Sequence, residues 1–456
     1  MPSGYDPNDT LTAIYGVDFP SYRNSPGNTT NASLGVRTYA AKDMTLEIAK
    51  AIKHNAAIAT TSASSSIKVG HDDFVGKGPF KIRECVTSLG SDGKQHVMAY
   101  KDDRERLDSS NPYPWYNSTY AQNTSYNTMI EFPKFYYRRP SPYEFQVSST
   151  KHEGFECSPM HYRENKEYDY CYISKYLLQT PNYYSYCSTT NANSSATNPE
   201  TVRKALLNKG LRMFDYKCFY SLAMLMLIKY AVLDVSRFIG VGHQTTTITN
   251  SAAPCVFMYL QSNPATRYCT EANCGVANST AFTGYGASNV TLRAYPLTLG
   301  LETYYSNLWT TMDGLYYYNS ALWVSKDPTT LKGNNMTVAD ITNASNFDSL
   351  YLNIRDLRAS GTDSLSHSGT TLAYFPNYPY LLIPTSTTSN NSGIGDIFFY
   401  KNVTTPGGTT LPQIALGCGH SAMSLNAGPL AIDLATSVSH GGAEHGDRSF
   451  FVASES

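Results

Sequence analysis

The residues that decide the fold are GLRMFDYKCFYSLAMLMLIKYA, residues 210–231. Asp215 is suited to cap a helix, because its side-chain oxygen can accept a hydrogen bond from a free backbone N–H of the first turn. From Tyr216 to about Leu233 the residues are apolar on nearly all sides, which predicts a helix buried on several faces. Burying a Leu, Met or Phe side chain contributes about 1.5–3 kcal/mol before the entropy cost is subtracted. We therefore expect this helix to anchor the fold.

A second helix and several short strands are predicted around this segment. Asn198 followed by Pro199 is typical of an N-cap with proline at the first helical position, and Gly210 ends this predicted helix. An Asp92-Gly93 turn between two strand-like runs, KIRECVTS (81–88) and HVMAY (96–100), predicts a hairpin. A turn is also predicted at Asp313-Gly314. Further strands are predicted at 129–138, whose proline is typical of an edge or bulged strand, and at 168–176, 374–384, 395–402, 411–419, 427–435 and 448–454.

Composition narrows the classes of function. The chain has 456 residues, 35 Lys and Arg against 36 Asp and Glu, and a net charge of -1. We do not expect nucleic-acid binding to be the main activity, because neutralising the phosphates requires a basic protein surface and the charges here are balanced. The longest apolar run, Phe219–Ile228, is too short for the roughly twenty residues of a membrane span, so no membrane insertion is expected. Aromatic residues make up 13% of the chain, with 37 Tyr, which favours a loop-rich, largely β protein with tyrosine-rich surfaces.

The chain divides into two predicted regions. Residues 1–70 are poor in aliphatic side chains and are interpreted as an N-terminal attachment or oligomerisation region with one helix at about 44–54. Residues 71–456 are interpreted as one domain with a loop-rich insertion at about 241–291. The nine cysteines include no CxxC pair, which favours a reduced chain and gives no zinc signal. Local pairing among Cys255, Cys269 and Cys274 stays open.

Five segments, taken in order, resemble phage and prophage tail proteins with a C-type-lectin fold. That fold is of the formylglycine-generating-enzyme type, and its members include the variable proteins of diversity-generating retroelements. The resemblance covers roughly residues 71–456 and implies an α+β, C-type-lectin-like fold, loop-rich, with short antiparallel strands and two helices. Its segments are MIEFPKFYYR (129–138), HEGFECSPMHYRENKEYDYCYISKY (152–176), GLRMFDYKCFYSLAMLMLIKYA (210–231), GLETYYSNLWTTMDGLYYYN (300–319) and LGCGHSAMSLNAGPLAIDLA (416–435) followed by HGDRSFF (445–451).

The resemblance also implies where a ligand binds. In these proteins the last strands and their connections present the binding surface, which corresponds here to residues 417–447. Gly428, Pro429 and Arg448 fall at structural positions. Strands fix the direction of the small polar side chains that lie here among Gly and Ala, so these side chains can be substituted without a change of fold. The alternative is a solvated strand face without a ligand. The candidate ligand-binding residues are His420, Ser421, Ser424, Asn426, Asp433, Thr436, His440, Glu444 and His445.

Catalytic and metal chemistry have little support in the sequence. Oxidases of this fold hold copper between two C-terminal cysteines as thiolates, which are the ligands that Cu(I) selects, but this chain has only Cys418 there. We therefore expect no enzymatic activity, no cofactor and a buried, apolar Cys418. The segment HGGAEHGD (440–447) lacks the helical spacing of a metalloprotease. His152, Glu153 and His161 are predicted on the surface or in turns.

Aromatic runs such as Tyr136-Tyr137, Tyr304-Tyr305 and Tyr316-Tyr317-Tyr318 have two interpretations. They could stack on sugar rings, but packing is favoured, because alternation along a strand turns at least half of them inward. Trp309 is expected in the core.

The resemblance implies a phage virion protein, a tail-tip or tail-fibre subunit that binds a host cell-surface receptor, glycan or protein. It also implies contacts with other tail proteins, a homotrimer, and a location in the virion tail after synthesis in the host cytoplasm. Two alternatives stay open: a degenerate enzyme of the same fold, and a structural or decoration protein without a host ligand.

Overall fold

The described residues form a mainly β protein with two α-helices and many loops, so the coarse expectation of a loop-rich α+β chain is confirmed. A computed structural model of the chain describes residues 12–20, 35–40, 53–55, 76–100, 126–179, 181–185, 198–231, 233, 235, 268–269, 295–302, 304–305, 308–318, 320–326, 351–356, 364–388, 396–401, 412–419, 427–437 and 445–454.

Two helices and 26 strands lie within these ranges. The helices are α1 (Pro199–Leu207) and α2 (Tyr216–Tyr230). The strands are β1 (Ile14–Asp18), β2 (Val36–Ala40), β3 (Lys53–Asn55), β4 (Arg83–Leu89), β5 (Gln95–Tyr100), β6 (Asn127–Pro133), β7 (Tyr136–Ser141), β8 (Glu144–Ser148), β9 (Glu156–Cys157), β10 (Tyr162–Arg163), β11 (Lys166–Glu167), β12 (Tyr170–Ser174), β13 (Arg212–Met213), β14 (Tyr268–Cys269), β15 (Tyr295–Thr298), β16 (Leu301–Glu302), β17 (Trp309–Tyr318), β18 (Ala321–Ser325), β19 (Tyr351–Asp356), β20 (Ser364–Leu372), β21 (Pro384–Thr388), β22 (Ile397–Lys401), β23 (Gln413–Gly417), β24 (Ile432–Ser437), β25 (His445–Gly446) and β26 (Ser449–Ala453).

Helix α2 is the centre of the main core, as predicted. The Asp215 side chain accepts a hydrogen bond from the Cys218 N–H at 2.9 Å, which satisfies a free donor of the first turn. Every residue from Tyr216 to Tyr230 is buried. The helix ends at Tyr230 instead of Leu233, because Ala231 takes the left-handed conformation (φ 51°) of a C-terminal cap.

Three larger sheets surround this helix. The first has the order β3-β2-β1-β8-β7-β9 and the second β13-β26-β12-β6-β4-β5. The third runs β19-β18-β17-β23-β24-β22-β20-β21, with β25 added in parallel to β17. Helix α2 packs against β1, β8 and β17, so the first and third sheets share its core. The predicted hairpin at Asp92-Gly93 is confirmed as β4 and β5 of the second sheet.

Strand β1 and its neighbouring residues, within 1–70, belong to the same core as the rest. Strand β1 pairs antiparallel with β8, and Tyr15, Val17 and Phe19 are buried with the side chains of α2. A boundary at residue 70 therefore does not separate two sheets. The prediction of a helix reaching His54 is wrong, since Lys53–Asn55 form β3, which pairs with β2; residues 44–52 lie outside the described residues. Of the predicted insertion at 241–291, only Tyr268–Cys269 is described.

Two predicted strands have a different structure. Residues 129–138 form two strands in different sheets, and the first of them, β6, is central between β12 and β4 instead of at an edge. Pro133, which has no N–H to donate, is the last residue of β6, and the chain then crosses to β7. Residues 373–383 form a loop between β20 and β21, so the strand predicted at 374–384 is wrong.

The predicted turn at Asp313-Gly314 is also wrong. Strand β17 continues through both residues, and its register against β23 shifts between Met312 and Tyr316, as in a β-bulge. Gly314 takes the positive φ (80°) that the bulge requires. The Asp313 carboxylate is buried and accepts two hydrogen bonds from Arg203 of α1, at 2.7 and 2.9 Å. The bulge therefore serves an ion pair between α1 and the third sheet.

Most of the tyrosine runs pack inward. Tyr304, Tyr305, Tyr316 and Tyr317 are buried, which confirms the packing interpretation for them. Tyr136 and Tyr137 are buried together as well. Neighbouring residues are both buried because each face of the strands is covered. Trp309 is buried against Leu416 and Ala431, as expected of a core residue.

His161 lies in a turn, as predicted, and its backbone N–H donates to the Ser158 carbonyl at 2.9 Å, but the residue is fully buried, so a position on the surface is wrong. Its Nε2 donates a hydrogen bond to the Phe132 carbonyl at 3.1 Å, and Phe135 packs edge-on against the ring. Burial, the largest cause, together with the charges of Arg163 and Lys134, lowers the pKa of His161 to about 3. The imidazole is therefore neutral at all but strongly acidic pH.

We expect the neutral His161 to make stability fall as the pH drops. Above about pH 6.5 the imidazole is neutral in both states, but between 6.5 and 3 only the unfolded chain binds a proton, which costs about 1.4 kcal/mol of stability per pH unit. Urea unfolding of the native chain and of His161→Gln at pH 7 and pH 4.5 measures this. The variant is expected to lose about 2.5 kcal/mol less stability between these values. Equal losses in the two proteins would contradict the assignment.

Candidate functional site

Several connections of the third sheet meet at one of its ends. Gly417, the last residue of β23, pairs with Ile432, the first residue of β24. Strand β22 is parallel to β24 and antiparallel to β20, so β22 begins, and β20 ends, at the same side. The loop of residues 373–383 and the connection of residues 418–431 therefore leave the sheet at one end. We call this end, with these two connections, the strand-end surface.

The structure places three of the nine candidate ligand-binding residues. Asp433 and Thr436 lie on β24 and are half-buried. Their neighbours Ile432 and Leu434 point into the main core, so strand alternation turns Asp433 to the opposite, outer face. The Asp433 carboxylate accepts a hydrogen bond from the Ala435 N–H at 2.7 Å, which fixes its direction. His420, Ser421, Ser424, Asn426, His440 and Glu444 lie outside the described residues.

The prediction that His445 is exposed is wrong, because only 6% of the residue is accessible. His445 and Gly446 form β25, which pairs in parallel with Trp309 and Thr310 of β17. Leu177 and Leu308 pack against Gly446, so this part of the segment is drawn into the interior. His445 therefore lies beside β17, whereas Asp433 lies on β24, and β23 runs between these two strands.

The frame below the strand-end surface is closely packed. A Cβ on Gly428 would lie 2.1 Å from an Asp396 carboxylate oxygen, so only glycine fits there. Asp396 accepts a hydrogen bond from the Leu430 N–H at 2.7 Å and so fixes the approach to β24. Arg448 is buried and donates from Nη1 to the carbonyl oxygens at Ser174 and Lys175, both at 2.9 Å. Gly428 and Arg448 thus have the structural roles expected of them, whereas Asp396 carried no signal in the sequence.

Cys418 begins the connection after β23 and is fully buried. Burial raises the pKa of its thiol to about 12, so the sulfur stays protonated at neutral pH. The expectation of a buried, apolar cysteine is confirmed. Five cysteines have described side chains, and all five are free thiols; the suggested pairing of Cys255, Cys269 and Cys274 falls outside that set.

The loop of residues 373–383 was not recognised from the sequence as a candidate. The buried Arg139 guanidinium donates hydrogen bonds to the carbonyl oxygens of Ala373, Pro379 and Leu381 at 2.8, 3.1 and 2.9 Å. It thereby holds both ends of the loop. Tyr374, which follows directly, is 42% exposed. A Tyr and Pro-rich run is the only sequence signal for this loop, and that run also suits a strand.

A cluster of aromatic and charged side chains lies on the second sheet. The Glu131 carboxylate is buried and accepts hydrogen bonds from the hydroxyls of Tyr100 and Tyr172 at 2.5 and 2.8 Å. The Arg83 guanidinium lies 3.4 Å from the centre of the Tyr100 ring. These groups join β4, β5, β6 and β12, and their polar atoms face one another. We interpret the cluster as a structural contact within the sheet.

Metal-binding and membrane-spanning features are absent from the described residues. No three His, Cys, Asp or Glu side chains with described positions are grouped so as to hold a metal ion. Neither α1 nor α2 combines the length and the apolar character of a membrane-spanning helix.

No protein-family model matches the chain, and a search of curated proteins finds no match. The resemblance to phage tail proteins therefore stays a hypothesis.

Proposed function

We propose that the protein is a receptor-binding subunit of a phage tail tip or tail fibre, which attaches the virion to its host. In this proposal the scaffold is C-type-lectin-like, of the formylglycine-generating-enzyme type, and residues 417–447 carry the binding face. The receptor is a glycan or protein of the host cell surface. The binding step is reversible and non-covalent, without a cofactor or a chemical reaction.

One observation carries the proposal. The strands that flank the connection of residues 418–431 are fixed in the core, while that connection leaves the sheet at its end. Gly417 lies directly over the Phe219 ring of α2, since a Cβ there would come within 2.6 Å of that ring. A rigid support of this kind lets small polar side chains such as Ser421 and Ser424 change without changing the fold.

Assembly would strengthen such binding. A homotrimer presents three copies of the face, and linked sites convert weak single contacts into firm attachment, by a factor of about 10² to 10⁴ when the geometry allows joint binding. Contacts with other tail proteins would place the trimer on the particle.

A structural or decoration role is the second candidate. Trp309, Leu416 and Ala431 form a small buried apolar cluster separate from the main core, and the half-buried Phe399 packs against it. A neighbouring virion subunit could cover the accessible part of the Phe399 ring. In that case attachment to host cells would not depend on residues 417–447.

We expect replacement of Ser421, Ser424, Asp433 and His440 by Ala to lower attachment to host cells at least about tenfold, because several contacts of a binding face act together. Attachment is measured as the retained fraction of fluorescently labelled protein. The matched control is S91A/D92A/H96A, which removes the same types of side chain from the exposed β4–β5 hairpin. Circular dichroism and Tm verify that both variants fold. Unchanged attachment by the folded quadruple variant would contradict the proposal and favour the decoration role.

A further inference from the structure

The loop of residues 373–383 has one defined conformation. Besides the three carbonyl oxygens of the loop, Arg139 also binds the Pro142 carbonyl at 3.2 Å, so its guanidinium joins the loop to the β7–β8 hairpin. The Ala373 N–H donates to the Ile383 carbonyl at 2.7 Å and closes the base of the loop. Two further turns, from Tyr378 to Phe375 and from Leu381 to Tyr378, have backbone hydrogen bonds of 2.9 and 3.0 Å.

The inner side of this loop is anchored by aromatic packing. Tyr380 is buried, stacks on Tyr216 of α2 with ring centres 6.3 Å apart, and meets the Tyr137 ring edge-on at 6.3 Å. Because Tyr216 is itself within the main core, the loop is packed against that core. Binding of a ligand there would not carry the entropy cost of ordering the loop.

The outer side of the loop presents an aromatic ring. Tyr374 is 42% exposed, and the Arg139 guanidinium carbon lies 5.6 Å from the centre of its ring. Pro376 and Asn377 are exposed beside it in sequence, and Tyr378 is half-buried. A tyrosine offers a large, rigid contact area with little rotamer entropy to lose, which suits a binding surface.

We propose that Tyr374 and the loop of residues 373–383 form a binding platform for a neutral saccharide. A sugar ring has an apolar C–H face that can lie on an aromatic plane, and hydroxyl groups that an amide such as Asn377 can bind. The loop contains no charged residue. The charge that lies next to it, on Arg139, is buried and directed at backbone carbonyl oxygens, so it offers nothing to an anionic polymer.

This inference goes beyond the proposed function, because it names a class of ligand and a set of residues outside 417–447. The loop lies at the same end of the third sheet as the connection of residues 418–431. A polysaccharide chain could therefore contact both connections of the strand-end surface.

The test is affinity electrophoresis of the full chain in gels that contain dextran, yeast mannan, galactomannan or, as the anionic probe, polygalacturonate. Retardation by at least one neutral polymer is expected, with little by polygalacturonate. Tyr374→Ala should raise the apparent Kd for that polymer at least about tenfold, while Tyr374→Phe, which keeps the ring, should change it by less than about threefold. Tyr162→Ala is the matched control, since Tyr162 is 41% exposed and belongs to the β10–β11 hairpin, not to the loop.

Three results would overturn the inference: no retardation by any neutral polymer, stronger retardation by polygalacturonate, or equal effects of Tyr374→Ala and Tyr162→Ala. Its failure is distinct from failure of the adhesion proposal. Loss of host attachment in the quadruple alanine variant, together with unchanged polysaccharide binding in Tyr374→Ala, would retain adhesion and reject the saccharide platform. The reverse pair of results would retain the platform and reject residues 417–447 as the binding face.

Discussion

Asp215→Ala is expected to lower the free energy of unfolding by about 3–5 kcal/mol, because it leaves the buried Arg163 guanidinium without its carboxylate. Arg163 and Asp215 are each 1% exposed and form two hydrogen bonds, one of them 3.1 Å long. Burial alone would lower the pKa of Arg163, but the Asp215 carboxylate more than offsets this and raises it. In Asp215→Ala that support is gone, but an arginine side chain does not lose its proton in proteins, so the buried charge remains without a partner carboxylate. The same substitution also removes the N-cap of α2, which is worth about 1 kcal/mol.

Urea unfolding at pH 7, followed by circular dichroism, measures this loss. The matched control is Glu200→Ala, which breaks the exposed 2.7 Å ion pair with Lys204 on α1 and should cost only about 0.3–0.5 kcal/mol. A second variant, Arg163→Met combined with Asp215→Leu, replaces both charges by apolar groups and should recover much of the lost stability. Equal losses in Asp215→Ala and Glu200→Ala would show that the buried pair is not needed.

Phe219→Ala is expected to destabilise the protein by about 3–5 kcal/mol, since it removes a fully buried ring from the main core. The ring meets Tyr220 edge-on at 5.1 Å and lies directly below Gly417, where β23 ends. The cavity would open between α2 and the strand that carries the connection of residues 418–431. Leu89→Ala, at a side chain that is 39% exposed, should change stability by less than about 0.5 kcal/mol.

A double-mutant cycle separates a local contact from a general loss of packing. Gly417→Ala alone should be destabilising, because its Cβ would lie 2.6 Å from the Phe219 ring. Combined with Phe219→Leu, which makes room at that point, the cost of Gly417→Ala should become smaller. Additive losses, measured by urea unfolding of the three variants, would mean that the two residues do not contact each other in solution.

The elements that could be predicted from the sequence are those that local interactions specify. Helix α1 begins after Asn198, whose side chain accepts the Thr201 N–H at 2.9 Å, and α2 begins after Asp215 in the same way. Both caps bind backbone groups within three residues, so the sequence shows them directly. The hairpin of β4 and β5 turns at Asp92-Gly93, and its signal is equally local.

The errors have one physical cause, which is competition from distant partners. Asp313-Gly314 has the composition of a turn, but Arg203 on α1 binds the carboxylate and the residues become a bulge within β17. Residues 374–384 are rich in the aromatic and aliphatic side chains typical of strands, but Arg139 binds the carbonyl oxygens that a neighbouring strand would otherwise bind. The sequence near these residues does not indicate a partner that lies more than 100 positions away in the chain.

The same distinction applies to the strand-end surface. The strands β23, β24 and β26 are predicted by their apolar residues, and the outward position of Asp433, which the resemblance to phage tail proteins implies, agrees with the alternation along β24. The burial of His445 depends on the pairing of β25 with Trp309 of β17. The exposure of Tyr374 depends on the hydrogen bond from Arg139 to the Ala373 carbonyl, which fixes the loop. The sequence by itself thus determined the anchoring helix, its cap and the apolar strands, because those follow from neighbouring residues. Only the tertiary structure decided which polar and aromatic side chains reach the surface, because accessibility depends on every segment that packs around them.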